Sequence, residues 1–285
     1  MQQPENLCID TMALTVSALS LLVIIVNCLH LVALLQLKSL KGRPHRHVVI
    51  NITLAGIASA LMTTMSYSCY GAYRRILNLD VVVDKDSMYT IFVHGLLFVP
   101  FYTYYWVFFV ASLEQYYAIC RPREYTTAFL IRKLPWVLCF CWVLPFVLIS
   151  FFVCLTFYVS TTQEQFFLNK HLGFAALLLA PWSIAIVVFS LVWKELKRTR
   201  IDVASDERKQ AINAAMYLII TFVIFSSYLL LDVVVMVLLT TFNLKVMYRI
   251  AAIMRVLYTI INIVVYAAKT EPYRQHLRQC VRSRR

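Results

Sequence analysis

Apolar residues run through this chain in seven long blocks, each ended by a short charged or polar stretch. The blocks lie at about 12–37, 48–70, 88–117, 134–158, 167–193, 211–239 and 246–268. Each is long enough to cross the hydrocarbon of a bilayer, which takes about 20 mostly apolar residues. Hydrocarbon offers no partner to a bare peptide group, so each block is expected to be a helix. A polar, amphipathic piece over 270–281 follows the last block. The expected fold is all-α: a seven-transmembrane helix bundle over residues 1–268, then a short amphipathic eighth helix and basic tail over 269–285. The loops are short, which makes consecutive helices antiparallel neighbours. No internal repeat or low-complexity linker is visible.

Composition supports this reading. Of the 285 residues, 61% are hydrophobic and 14% charged, against about 45–50% and 25% in soluble domains. The net charge of +13 would suggest a nucleic-acid partner until the charges are located. Lys38, Lys41, Arg43 and Arg46 follow span one. Arg121, Arg123, Arg132 and Lys133 follow span three. Lys194, Lys197, Arg198, Arg200, Arg208 and Lys209 follow span five, and Lys269, Arg274, Arg278, Arg282, Arg284 and Arg285 close the chain. The remaining loops hold only Arg74, Arg75, Lys85, Lys170, Lys245 and Arg249. This bias places the N-terminus outside and the C-terminus in the cytoplasm of a multi-pass cell-membrane protein, and removes nucleic acid as a partner. The N-terminus has no basic region before its first apolar run, so no cleavable signal peptide is expected. The sequon Asn51-Ile52-Thr53 falls at the cytoplasmic start of span two, out of reach of glycosylation.

Little in the composition points to catalysis. There are 5 glycines and no phosphate-binding loop. The 8 cysteines sit mostly inside apolar blocks, as packing residues, and no Cys/His cluster has metal-ligand spacing. Neither an enzyme, a metal nor a cofactor is expected. A transporter or channel would show repeats or several polar residues along a pathway, and neither is seen. The arginines from Arg274 to Arg285 suit a helix lying on anionic membrane lipids, and Cys280 there is a weak palmitoylation candidate.

Three groups of residues stand out against the apolar background. Glu114 and Gln115 sit about one turn inside the end of span three, which Pro122 terminates. Polar groups there either lie among headgroups or carry a signal across the membrane; Arg121 or Lys209 are the candidate partners of Glu114. Further up the same span, His94, Phe98, Phe101 and Tyr105 recur at helical spacing on one face, with Tyr102 beside them. They either line an aromatic cavity for a small, mostly apolar ligand or pack helix against helix. Asp232 in span six and Arg255 in span seven are charges inside apolar runs, each costing about 2.5–3.5 kcal/mol on insertion scales. They either pair with each other or leave Arg255 to hold an anionic ligand, with Tyr228 and Tyr258 flanking. Pro145 and Pro181 are expected to kink spans four and five.

Glu114-Gln115-Tyr116, followed by Ala118-Ile119-Cys120-Arg121-Pro122 and Tyr125, resembles the end of the third helix in rhodopsin-like (class A) G-protein-coupled receptors. Asn27, Trp142, Pro181 and the run Asn262-Ile263-Val264-Val265-Tyr266 resemble further marks of that family in their proper order. The segment Lys269-Thr270-Glu271-Pro272-Tyr273-Arg274-Gln275-His276-Leu277 looks like the eighth helix of odorant receptors, and within the family the chain is most similar to these, of the fish type. The resemblance implies a chemosensory receptor for olfaction. A small-molecule odorant would bind in the outer half of the bundle, at His94, Phe98, Phe101, Tyr102, Tyr105, Tyr228, Asp232, Arg255 and Tyr258. It also implies coupling to a heterotrimeric G protein through Glu114, Gln115, Tyr116, Asn262 and Tyr266, with Asn27 in the same polar network.

The departures are specific. Gln115 stands where the family keeps an arginine, and Ile263 where it keeps a proline. Span two has no carboxylate; Ala55 or Ala58 takes the place of an aspartate. Span six lacks the family's Trp and Pro, and Thr90 stands in place of a cysteine, so the usual outer disulfide is not expected. A degenerate, non-signalling receptor is the alternative these changes raise.

Overall fold

The computed structural model describes residues 4–37, 43–77, 88–159, 163–199, 211–227, 230 and 245–282. Among them every regular element is a helix. In chain order these are α1 (Pro4–Gln36), α2 (Pro44–Leu77), α3 (Met88–Cys120), α4 (Phe129–Arg132), α5 (Leu134–Val159), α6 (Gln163–Thr199), α7 (Ala211–Ser227), α8 (Lys245–Lys269) and α9 (Glu271–Arg282). The apolar blocks of the sequence thus become α1, α2, α3, α5, α6, α7 and α8. The end of the sixth block, beyond residue 230, lies outside the described residues. The amphipathic piece becomes α9.

Pro122 ends α3 as expected, since it has no N–H to continue the ladder. The last backbone bond of the helix is Arg121 N–H to the Tyr117 carbonyl, at 3.2 Å. Two turns follow, with Glu124 N–H on the Arg121 carbonyl and Ala128 N–H on the Glu124 carbonyl. The single turn α4 then leads into α5. No apolar period announces α4; it is a connector.

The helices close into a ring. α1 lies against α2 and α8; α2 touches α5, and α5 packs on α6. α6 meets α7 through Phe189 and Phe222, whose ring centroids are 5.0 Å apart. α7 meets α8 through Tyr217 and Asn262. α3 runs up the middle against α2, α5 and α6, and its rings reach α7 and α8. Consecutive neighbours run antiparallel, so Leu37, Pro44, Cys120, Leu134, Ala211 and Lys269 gather at one end. Arg46 caps that end of α1, donating to the Leu34 and Leu35 carbonyls at 3.3 and 2.9 Å. These are among the last carbonyls of a helix, which have no partner of their own.

The packing is inverted relative to a water-soluble bundle. Leu14, Leu21, Ile25, Leu29, Trp136, Phe140, Phe151, Leu179, Val187 and Leu191 all point outward, while Ser20, Asn27, His30, Ser59, Ser112, Glu114, Gln115 and Asn262 are buried. Several polar side chains are satisfied on their own helix: Thr53, Thr103 and Thr221 each bond the carbonyl four residues back, at 2.8–3.0 Å. Such a surface is stable where the solvent is hydrocarbon. Among the described residues, four helices are long and apolar enough to cross a membrane by themselves: Leu14–Gln36, Pro44–Met65, Leu134–Phe152 and Leu179–Arg198. The protein is therefore membrane-associated.

The prolines expected to kink spans four and five sit inside helices. Pro145 lies in α5 and Pro181 in α6, both buried. A third, Pro100, lies inside α3 just before its aromatic face. Of the cysteines, Cys141 is buried as expected of a packing residue, but Cys28, Cys139 and Cys154 face outward, and all three are free thiols.

Candidate functional site

Two places in the bundle concentrate the singled-out residues. The first is the middle of α3. Phe101, Tyr102 and Tyr105 are buried there, and Tyr258 of α8 joins them. Phe101, Tyr105 and Tyr258 meet through Phe225 of α7, which no pattern in the sequence marks out. Its ring centroid lies 5.8 Å from Phe101, 5.4 Å from Tyr104, 4.6 Å from Tyr105, 5.4 Å from Phe108 and 4.8 Å from Tyr258. The tilted and edge-on angles are those that aromatic quadrupoles favour. Tyr102 stands edge-on to Phe101 at 6.3 Å. Trp182, next to Pro181 in α6, donates to Ser226 at 2.9 Å and so pins α7 from the other side.

The other expected members of this group are not brought into it by what is described. His94 and Phe98 lie on α3, and Arg255 on α8, but their side chains lie outside the described residues, as do Tyr228 and Asp232 entirely.

Tyr104 has a second role. An added Cβ on Gly56 would lie 2.7 Å from its hydroxyl, 3.1 Å from Asn27 Oδ1 and 3.5 Å from Thr259 Cγ2. Gly56 is thus the α2 residue facing Asn27, in a spot where α1, α2, α3 and α8 converge. Neither Ala55 nor Ala58, the positions expected to face this network, is needed to fill it. Asn27 itself donates to the Val23 carbonyl of its own helix at 2.9 Å.

The second place is the end of the bundle where the basic residues collect. Arg121, Arg123, Arg132, Lys133, Lys194, Lys197, Arg198, Arg274 and Arg278 are all exposed there. Within this rim, Glu114 and Gln115 are each 1% exposed. Neither expected partner holds Glu114. Its carboxylate accepts from the Tyr125 hydroxyl at 2.7 Å and from the Gln115 amide. Arg121 pairs instead with Glu124, at 2.9 Å on the surface, and Lys209 lies outside the described residues. Gln115 Oε1 is buried without a partner. Burial, together with the neighbouring Glu114, pushes the Tyr125 hydroxyl well above the usual tyrosine range, so it stays a donor. Tyr116 packs with Ile119, Cys120, Val192, Leu196 and Ala215, closing α3 against α6 and α7.

Asn262 and Tyr266 belong to a neighbouring knot at the same end. Tyr217 of α7 donates to Asn262 Oδ1 at 2.6 Å, and its ring stands edge-on to Tyr266 at 5.0 Å. Two histidines complete it, His30 buried and His45 half-buried. His30 of α1 meets Tyr273 of α9 through a 2.6 Å hydrogen bond, and His45 of α2 lies against Tyr217 and Tyr266. Trp142 of α5 donates to Asn51 of α2 at 3.1 Å, which accounts for the asparagine of the sequon. His30, His45 and Tyr217 carried no sequence signal, and Tyr125 and Tyr273 stood only within longer motifs with no role of their own: each becomes notable through a partner elsewhere in the bundle.

No protein-family model matches this chain, and no characterised protein matches it by sequence similarity.

Proposed function

We propose that this chain is a seven-span membrane receptor of the rhodopsin-like kind, of odorant or chemosensory type. Its N-terminus would lie outside and its basic end in the cytoplasm. The observation that carries this reading is the closure of the basic end. A buried acid on the central helix is held by a loop tyrosine and an amide, inside a rim of exposed cations. A small ligand would bind on the outer side of Phe101, Tyr102, Tyr105 and Tyr258, with His94, Phe98, Tyr228, Asp232 and Arg255 the further candidates. Its arrival would bias α6 and α7 away from α3 through Phe225, and the opened end would admit a G protein. Glu114, Gln115, Tyr116, Asn262 and Tyr266 would carry the change. α9 and the basic rim would rest on anionic lipids.

Gln115 favours a second reading, a degenerate receptor that no longer signals. A neutral amide cannot make the bidentate, charge-assisted bonds of an arginine. A second-messenger assay in a heterologous cell, with wild type and Gln115→Arg challenged by volatile and amine ligands, separates the two. A ligand-dependent response of wild type supports the receptor. Surface expression with silence from both proteins supports the degenerate form, and ion conduction would replace both readings with a channel.

A further inference from the structure

We propose, on the reading that the basic end of the bundle faces the cytoplasm, that Thr126 is a phosphorylation site for a serine/threonine kinase with an acidic substrate groove. The segment Arg121-Pro122-Arg123-Glu124-Tyr125-Thr126-Thr127 joins α3 to α4. It places guanidinium groups five and three residues before the Thr126 hydroxyl. Cations at fixed offsets from a hydroxyl are what an acidic groove reads, since charge complementarity decides which partner is accepted and which refused.

Three hydroxyl-bearing residues stand in a row here, and their surroundings separate them. Tyr125 is half-buried, and its hydroxyl is given to Glu114 at 2.7 Å. The Thr127 hydroxyl donates to the Glu124 carbonyl at 3.0 Å. Thr126 is exposed, and no hydrogen bond among the described residues engages its hydroxyl. Arg121 and Arg123 are exposed as well. Arg121 pairs with Glu124 at 2.9 Å, but both side chains are 55% exposed, so water and salt screen the pair and leave Arg121 available. Glu124 itself works against recognition, as an acid between the cations and the hydroxyl. The backbone is a pair of turns, with Glu124 N–H on the Arg121 carbonyl at 3.0 Å and Thr127 N–H on the Glu124 carbonyl at 3.1 Å. Exposed turns of this kind open locally more readily than the helices they join.

In the reaction the Thr126 hydroxyl oxygen attacks the terminal phosphorus of a nucleoside triphosphate. A new O–P bond forms as the bond to the leaving nucleoside diphosphate breaks, and the hydroxyl proton passes to the kinase's carboxylate base. The phosphate brings about −1.5 to −2 charges at pH 7. It would enter a rim that is otherwise cationic, one residue from the tyrosine that holds Glu114.

Purified full chain in lipid nanodiscs, incubated with magnesium ATP and the catalytic subunit of cyclic-AMP-dependent protein kinase, gives the test. Peptide mass spectrometry locates the phosphate. It should fall on Thr126; Thr126→Ala should lose it and Thr127→Ala should keep it. Arg121→Gln combined with Arg123→Gln changes only exposed side chains and should slow incorporation about tenfold, whereas Glu124→Ala should speed it. Absence of phosphate from Thr126, or a rate indifferent to the two arginines, overturns the site and leaves the topology standing. The same kinase subunit, expressed in the cytosol with this chain, should mark Thr126 in cells. Marking in nanodiscs but not in those cells would overturn the cytoplasmic placement of this end, and the site's use with it.

Discussion

Around Phe225, five rings from two other helices lie at centroid distances of 4.6–5.8 Å. At the basic end, by contrast, Glu114, Tyr125, Gln115, Tyr217 and Asn262 are held by individual hydrogen bonds. The middle is cohesive through contact area, which is non-directional and adds up over many weak contacts. The end is cohesive through a few directional bonds between buried polar groups, each costly to leave unmade. The two regions should therefore fail differently. A lost ring leaves a hole and weakens everything around it. A lost hydroxyl leaves the packing in place and releases one particular connection. Under the receptor reading, in which one end opens, that division puts the rigid part and the releasable part in different layers.

Phe225→Ala tests the first half of the contrast and should have the largest effect. Truncating a buried phenylalanine typically costs about 3–5 kcal/mol, and this one touches α3 and α8 together. Thermal unfolding of purified protein should show a large loss of stability, while Phe225→Leu, which refills most of the volume, should recover much of it. Equal loss in both variants would mean that ring geometry rather than volume holds the middle.

Gly56→Ala comes next. The new methyl would sit 2.7 Å from the Tyr104 hydroxyl and 3.1 Å from Asn27 Oδ1, so a neighbour must shift to admit it. Overpacking of this kind costs about 1–3 kcal/mol. Tyr104→Phe removes the clashing oxygen, so the double variant should be more stable than the sum of the two single losses predicts. Strict additivity would mean that the clash is relieved elsewhere, by movement of α2.

How much of this was open to sequence reading differs between the layers for the same reason. The helices announce themselves through runs of apolar residues, and the basic end of the bundle through the placement of cations in alternate loops. The aromatic face of α3 was half visible: Phe101 and Tyr105 follow helical spacing, and Tyr104, three residues beyond Phe101, would have been found by extending the same count. Phe225 was not visible, since one phenylalanine in an apolar helix looks like any other until five rings converge on it. At the basic end, Glu114 and Gln115 were conspicuous as polar residues in an apolar span, but their partner was not. An acid amid arginines suggests an ion pair, yet burial selects the neutral hydroxyl of Tyr125, and Arg121 is exposed beyond the end of α3. His30 and Tyr273 are 243 residues apart, and no local pattern relates them.

Tyr125→Phe and Glu124→Ala are the smallest changes, and as neighbours in one loop they sharpen the contrast most. Tyr125→Phe removes one donor from a buried carboxylate, which typically costs about 1–3 kcal/mol. Under the receptor reading it also raises basal second-messenger output, because α3 loses its tie to the loop. Raising the pH to 9 should not mimic it. A hydroxyl pushed above the usual tyrosine range in the folded state holds its proton there. The stability it adds is complete below about pH 10, the ordinary tyrosine value, and declines only as the unfolded chain begins to lose that proton. Glu124→Ala breaks the ion pair with Arg121, but both side chains are 55% exposed. Water and salt already screen such a pair, so stability should stay within error of wild type, at low salt as well as high. An effect of Glu124→Ala as large as that of Tyr125→Phe would show that the loop's charges, rather than the buried bond beneath them, keep this end closed.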